Sequence, residues 1–189
     1  GISGGWQDQY ATVFGGLNFI EFKQDSNLIY PLRLKEKSIL ELEENLVLFE
    51  ITSGRNSGAI HDDQEATMKD TKVQELVKKN VAHCYDMRDS LLRGKLDEFG
   101  SGLNLAWALK RQFSAKISND NLDDIYNYAI ENGASGGKIL GAGGGGFFLF
   151  YVKYSLKNAF LHAMKSRGLE ETQFNFDQHG MQSWTSRET

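Results

Sequence analysis

GGKILGAGGGGFFLFYV, residues 136–152, gathers five of the chain's 20 glycines into the six positions 141–146. Two phosphate-binding motifs share parts of this pattern, and both fail on the residues that follow. Gly141, Gly143 and Gly146 satisfy G-x-G-x-x-G, but a dinucleotide fingerprint opens a helix with its third glycine. Here the loop runs into Phe147-Phe148-Leu149-Phe150-Tyr151-Val152, an aromatic run that reads as a buried strand. The acid that such a motif wants about 20 residues further on is replaced by Ser166 and Arg167. Gly141 and Gly146 also have P-loop spacing, yet Phe147-Phe148 stand where Lys and Ser/Thr are required. What remains is a strand-loop-strand, with Lys138-Ile139-Leu140 leading in. Its glycine backbone is free to take positive φ and to approach another group closely. A tight connection packed on a neighbouring helix is the plainer alternative, and five glycines favour close approach over it.

Bulk composition narrows the field. A chain of 189 residues with 40% hydrophobic residues can bury one good core, or two small ones. A net charge of −4 gives no basic footprint for nucleic acid or an anionic membrane. No apolar stretch is long enough to span a membrane, and the first residues lack a signal-peptide layout. The single cysteine excludes an internal disulfide and fits a cytoplasmic protein. Cys84 falls on the apolar face of a helical pattern, which predicts a buried, inert thiol. The four histidines show no metal-ligand spacing, and His61-Asp62-Asp63 reads better as acidic residues in a first helical turn.

Along the chain, Ile2 to Phe14 reads as a helix stopped by Gly15-Gly16. Leu17 to Phe22 and Leu28 to Leu34 flank Asp25-Ser26-Asn27 as a hairpin, with Pro31 marking an edge strand. Leu46 to Ile51 is expected as an inner strand, followed by a polar loop at Thr52 to Gly58. Three helical stripes follow: Val73 to Leu91 stopping at Gly94, Leu96 to Phe113, and Leu122 to Ile130 between the cap residues Asn119-Asp120 and Gly133. A last helix, Leu156 to Arg167, ends at Gly168. Strands at Thr172 to Phe176 and Met181 to Thr185 are expected to close on the turn Asp177 to Gly180. The sum is one continuous α+β domain, with helices layered on one face of a largely antiparallel sheet. Trp107 and the phenylalanines belong to its core.

GISGGWQDQYATVFGG, residues 1–16, holds the candidate catalytic group. Asp8 sits in the early helix behind Gly4-Gly5, between Gln7 and Gln9. Amides on both sides offer hydrogen bonds without competing charge, so the carboxylate can stay ionised and accept a proton. A first-turn aspartate complementing the helix dipole is the alternative, and alone it would be preferred.

The two ends together resemble the GHMP small-molecule kinases. Gly1-Ile2, Gly5, Asp8-Gln9 and Gly15 are similar to the G-I-x-x-G-x-x-D-Q…G segment of the galactokinase branch, and Lys138 to Gly146 is similar to the superfamily's third motif. Leu103 to Ser118, LNLAWALKRQFSAKIS, and the glycine loop look particularly like the D-glycero-D-manno-heptose 7-phosphate kinases, as does Trp6-Gln7 before the Asp-Gln pair. The resemblance implies a GHMP kinase C-terminal domain with a ferredoxin-like layered sheet over 36–189. Residues 1–35 would be a helix and hairpin bordering an N-terminal ATP-binding domain. It further implies phosphoryl transfer from ATP to the anomeric hydroxyl of a heptose 7-phosphate. Asp8 would be the base, and Gly141, Ala142, Gly143, Gly144, Gly145 and Gly146 would lie beside the phosphates. The family's G-L-G-S-S-type phosphate loop is not in this sequence, so the Mg2+ ligands are expected upstream and the chain alone is expected to be inactive. Arg55 and Lys110 are possible phosphate contacts, with solvated surface charge at least as good a reading. Apolar residues on the hairpin flanks suggest self-association. A fucose- or galactose-type sugar-1-kinase, or a non-catalytic binding module, are the alternatives.

Overall fold

The structure is a computed structural model that describes residues 6–51, 60, 63 and 66–185. Glycine in the left-handed region ends most of its helices. Gly15 and Gly16 (φ +61° and +65°) stop α1, Gln7–Phe14, and Gly94 (φ +68°) follows the longest helix. Between them lie the hairpin strands β1, Asn18–Phe22, and β2, Asn27–Pro31, then helix α2, Glu36–Asn45, and strand β3, Leu46–Ile51. The long helix α3, Thr71–Leu92, is capped by Asp70, whose carboxylate accepts from the Lys72 N–H. Helices α4, Leu96–Lys110, and α5, Asp120–Glu131, follow, the latter capped by Asn119. Strands β4, Ala134–Ile139, and β5, Gly146–Val152, embrace the glycine loop, and α6, Tyr154–Ser166, ends before Gly168 (φ +77°).

β5 is the central strand of an antiparallel sheet in the order β3-β5-β4, and β1 pairs with β2 in a separate two-stranded sheet. The alternation along β5 builds two cores. Phe148, Phe150 and Val152 share one face with Val47 and Phe49 of β3, and meet Leu122, Ile125, Tyr126 and Ala129 of α5 and Phe160 and Met164 of α6. Trp107 of α4 joins them with its ring 5.7 Å from Phe148, edge to face, an arrangement that adds about 0.5–1.5 kcal/mol beyond burial. Tyr151 and Leu149 point the other way, into a smaller cluster with Leu42, Leu46, Leu91, Leu96 and Leu103. Both faces of the sheet are thus covered, which is why β5 is apolar throughout.

Four local expectations change. β3 is not an inner strand: it lies at the edge of its sheet, and on its outer side the described residues supply the Phe49–Glu171 bridge and the Thr172 N–H bond to the Leu48 carbonyl (2.7 Å). Its apolar run reflects coverage of both faces, not a position inside the sheet. The segment 172–185 forms no regular strand among the described residues. Instead Phe174 and Phe176 pack on the second cluster, and an Asx turn at Asp177 receives the His179 N–H at 2.9 Å. Helix α2 had no counterpart in the sequence reading, although Ile39, Leu42 and Leu46 repeat at helical spacing. Cys84 is exposed rather than buried; within helix α3 only Val73 and Leu91 are buried. The polar loop at 52–58 lies outside the described residues.

Candidate active site

The glycine loop owes its composition first to its own backbone. Gly141, Gly143, Gly144, Gly145 and Gly146 all have positive φ, between 70° and 138°, a region that L side chains enter only with strain. The Leu140 N–H bonds the Phe147 carbonyl at 2.9 Å to close the loop, and the Gly144 N–H bonds the Ile117 carbonyl at 2.9 Å to tie it down. A Cβ at Gly143 would meet Ile117 at 3.0 Å, and one at Gly144 would meet the Ile60 side chain at 2.5 Å. At Gly141, in contrast, a Cβ would find nothing within 4 Å. The loop therefore packs inward at 143 and 144 and is open at 141.

Charged groups gather beside it. Lys110 ends α4 and donates from Nζ to the Gly141 carbonyl. Burial, reinforced by the like charge of Lys138, pushes the Lys110 ammonium down to about 7. Burial lowers Lys138 as well, with the Cys84 thiol partly opposing the shift. Beneath the loop's Ile117 anchor, the Asp63 carboxylate accepts from the Ser114 hydroxyl and pairs with Lys116 Nζ at 3.0 Å. Those two contacts hold its pKa below the usual carboxylate range.

Asp8 is carried by the first helix. It lies exposed in the first turn of α1. That helix is fixed by the Asn27 Nδ2 bond to the Tyr10 hydroxyl (3.0 Å), by Gly15 against Gly180, and by the Met181 N–H on the Val13 carbonyl. An open groove of about 580 Å³ runs between Trp6-Gln7 and residues 22–27. No hydrogen bond or ion pair among the described residues joins Asp8 to the glycine loop. Arg55 is outside the described residues. Lys138 entered the sequence analysis only as the first residue of the strand and motif leading into the loop; the structure places it two residues after Gly136 on β4. Among the described residues no group of three or more His, Cys, Asp or Glu side chains comes together, and no helix is long and apolar enough to cross a membrane.

Residues 87–169, which include the glycine loop and the lysine that ends α4, match the family described as GHMP kinases C terminal. Those residues form a GHMP kinase C-terminal domain. The chain is 36% identical over 185 residues to the D-glycero-alpha-D-manno-heptose 7-phosphate kinase of Campylobacter jejuni, covering 97% of this chain and 55% of that protein. It is 27% identical over 158 residues to the bifunctional fucokinase/GDP-fucose pyrophosphorylase of Arabidopsis thaliana, covering 81% of this chain and 15% of the relative. The crystal structure of a D-glycero-D-manno-heptose 1-phosphate kinase from Bacteroides thetaiotaomicron superposes with a TM-score of 0.70 at 26% identity, over 99% of this chain and 51% of the other. The chain therefore spans only about half the length of its heptose kinase relatives.

Proposed function

We propose that this chain is the C-terminal part of an ATP-dependent kinase that phosphorylates the anomeric hydroxyl of a heptose 7-phosphate. The observation that carries the reading is the 36% identity to a heptose 7-phosphate kinase across 97% of the chain. The lower identity to the fucokinase relative, 27% over a shorter span, ranks a fucose-type activity second. Residues 36–189 would form the C-terminal lobe, and residues 1–35 would border the nucleotide-binding lobe. The exposed Trp6, Val13, Phe14, Phe22 and Tyr30 supply apolar surface on that side.

In this reading the anomeric oxygen attacks the γ-phosphorus of ATP, the new O–P bond forms as the bond to the bridging β,γ oxygen breaks, and ADP leaves. Asp8 takes the hydroxyl proton. The loop from Gly141 to Gly146 lies beside the phosphates, open at Gly141 where a side chain would have intruded. Such transfer depends mainly on positioning and charge stabilisation. Among the described residues no group of three or more His, Cys, Asp or Glu side chains comes together. The metal is therefore assigned no residue here.

The test is a product assay on the full-length protein. Incubation with ATP and heptose 7-phosphate should release ADP and give a 1,7-bisphosphate with a new anomeric phosphorus resonance. Fucose and galactose should be turned over at least tenfold more slowly. Absence of sugar-phosphate-dependent ADP release, or preference for fucose, overturns the assignment.

A further inference from the structure

Helix α1 carries Asp8 but buries none of its side chains. Buried packing therefore does not hold it, and its attachments among the described residues are few. On the hairpin side the Tyr10 hydroxyl accepts from Asn27 Nδ2, and the Tyr10 ring lies 6.1 Å from that of Phe22. At the C-terminal end of the helix the attachment is backbone to backbone. Gly15 and Gly180, both in the left-handed region (φ +61° and +64°), cross with no room for a side chain on either. A Cβ on Gly180 would sit 2.5 Å from the Val13 carbonyl oxygen and 2.6 Å from the Gly15 nitrogen, and one on Gly15 would fall onto the Gly180 nitrogen. Two hydrogen bonds flank the crossing. The Gly16 N–H donates to the Asp177 carbonyl at 2.6 Å, and the Met181 N–H donates to the Val13 carbonyl at 3.3 Å.

The segment that makes this crossing is anchored at its other end on the larger sheet. Glu171 bridges Phe49 and lies 3.6 Å from Lys157 Nζ, and the Thr172 N–H bonds the Leu48 carbonyl. Further on, the Phe176 N–H bonds the Glu43 carboxylate of α2, and the Phe176 ring packs on the second cluster. Residues 171–181 thus run from the edge strand β3, past α2, to the last turn of α1. They form no regular strand, yet they are tied down at both ends and in the middle.

Such a fixture acts on Asp8 as on the end of a lever. The eight residues of α1 span about 12 Å, so a tilt of about 5° at Gly15 moves the Asp8 end by about 1 Å. A displacement of that size can cost about a hundredfold in rate. We propose that residues 171–181 are a strap that positions Asp8, with Gly15 and Gly180 as its positioning residues. The effect on turnover rests on the reading of Asp8 as the base; the fixing of α1 does not.

Gly180→Ala and Gly15→Ala test this in the full-length protein. Gly168→Ala is the control, since it places the same strain (φ +77°) where a Cβ meets nothing within 4 Å. In hydrogen exchange read by mass spectrometry, the peptide covering residues 10–16 should exchange about fivefold faster or more in both crossing variants. Peptides of α5 and α6 should keep their parental rates, and Gly168→Ala should leave residues 10–16 unchanged. Parental exchange at residues 10–16 in both crossing variants overturns the strap, whether or not the protein is a kinase. In steady-state kinetics, Gly180→Ala should lower kcat by about tenfold to a hundredfold, with both KM values within about twofold of the parent. Introduced into Asp8→Asn, the same substitution should lower kcat by less than about twofold, because residues acting as a unit are not additive. A parental kcat in Gly180→Ala, or an equal fall in both backgrounds, overturns positioning through Asp8. Parental turnover in Asp8→Asn overturns the base reading instead, and the exchange rates then decide the strap alone.

Discussion

Gly136 lies so close to Gly100 that a Cβ on the strand residue would sit 2.3 Å from the helix carbonyl oxygen and 2.7 Å from the Asn104 N–H nitrogen. This contact sets α4 directly on β4 and thereby carries Lys110 to the mouth of the glycine loop. Backbone, unlike a side chain, cannot rotate away. Gly136→Ala should therefore destabilise the chain by about 1–3 kcal/mol or more, read as a lower urea midpoint with an unchanged slope. If the midpoint holds, α4 is not seated as described.

Asn45 is buried and satisfies two elements at once. Its Nδ2 donates to the Tyr151 hydroxyl at 3.0 Å, and its Oδ1 accepts the Tyr154 N–H at 2.8 Å. The second bond serves the exposed start of α6, whose first N–H groups have no partner within the helix. Asn45→Ala strands the Tyr154 N–H and leaves the Tyr151 hydroxyl only its long bond to Asp97 (3.4 Å), and should cost about 1–3 kcal/mol. Tyr151→Phe removes only one side of the pair and leaves the cap, so its loss should be smaller; thermal melts of the two variants order them.

Lys110 makes stability depend on pH in the alkaline direction. Its folded pKa, about 7, is below the value in an unfolded chain, so between the two the unfolded state binds more protons. Stability should accordingly rise from pH 7 towards pH 10 and be lowest, on this account, below pH 7. One proton sets a ceiling of about 1.4 kcal/mol per pH unit, reduced by the partial exposure of the ammonium. Lys138, also lowered by burial, adds to the trend. Lys110→Met should flatten this rise in denaturant melts across that range; an unchanged slope removes Lys110 as its source.

Asp8→Asn separates the two roles open to that residue in the full-length protein. A general base contributes roughly 10²–10⁴-fold, so the amide should lower turnover by about that factor with nucleotide affinity and melting temperature nearly constant. A helix-dipole role predicts near-normal turnover and a stability loss of roughly 0.3–1 kcal/mol. Measuring both quantities on the one variant decides.

The sequence by itself determined the features whose signals are local. Gly94, Gly133 and Gly168 end helices where a positive φ is needed, Asn119 caps α5, and the apolar runs bracketing Gly141 to Gly146 form strands. The motifs at both ends of the chain carried its family, because the residues of each lie close together in sequence. Tertiary structure decided the rest. An apolar stripe says which face of α3 avoids water, but not that Cys84 is exposed. An apolar run says that β3 is covered on both faces, but not that it lies at an edge. The aromatic alternation at 172–176 predicted a strand, yet Phe174 and Phe176 bury themselves without pairing in a ladder, the Phe176 N–H bonding instead to the Glu43 carboxylate (2.7 Å). The meeting of Lys110 with Gly141 and Lys138 was not legible either. It exists because a helix and a strand, 28 residues apart at Lys110 and Lys138, approach through two glycines that each look ordinary in the sequence. Which backbones may touch is settled by the absence of side chains at two distant points at once, and no local pattern records that coincidence.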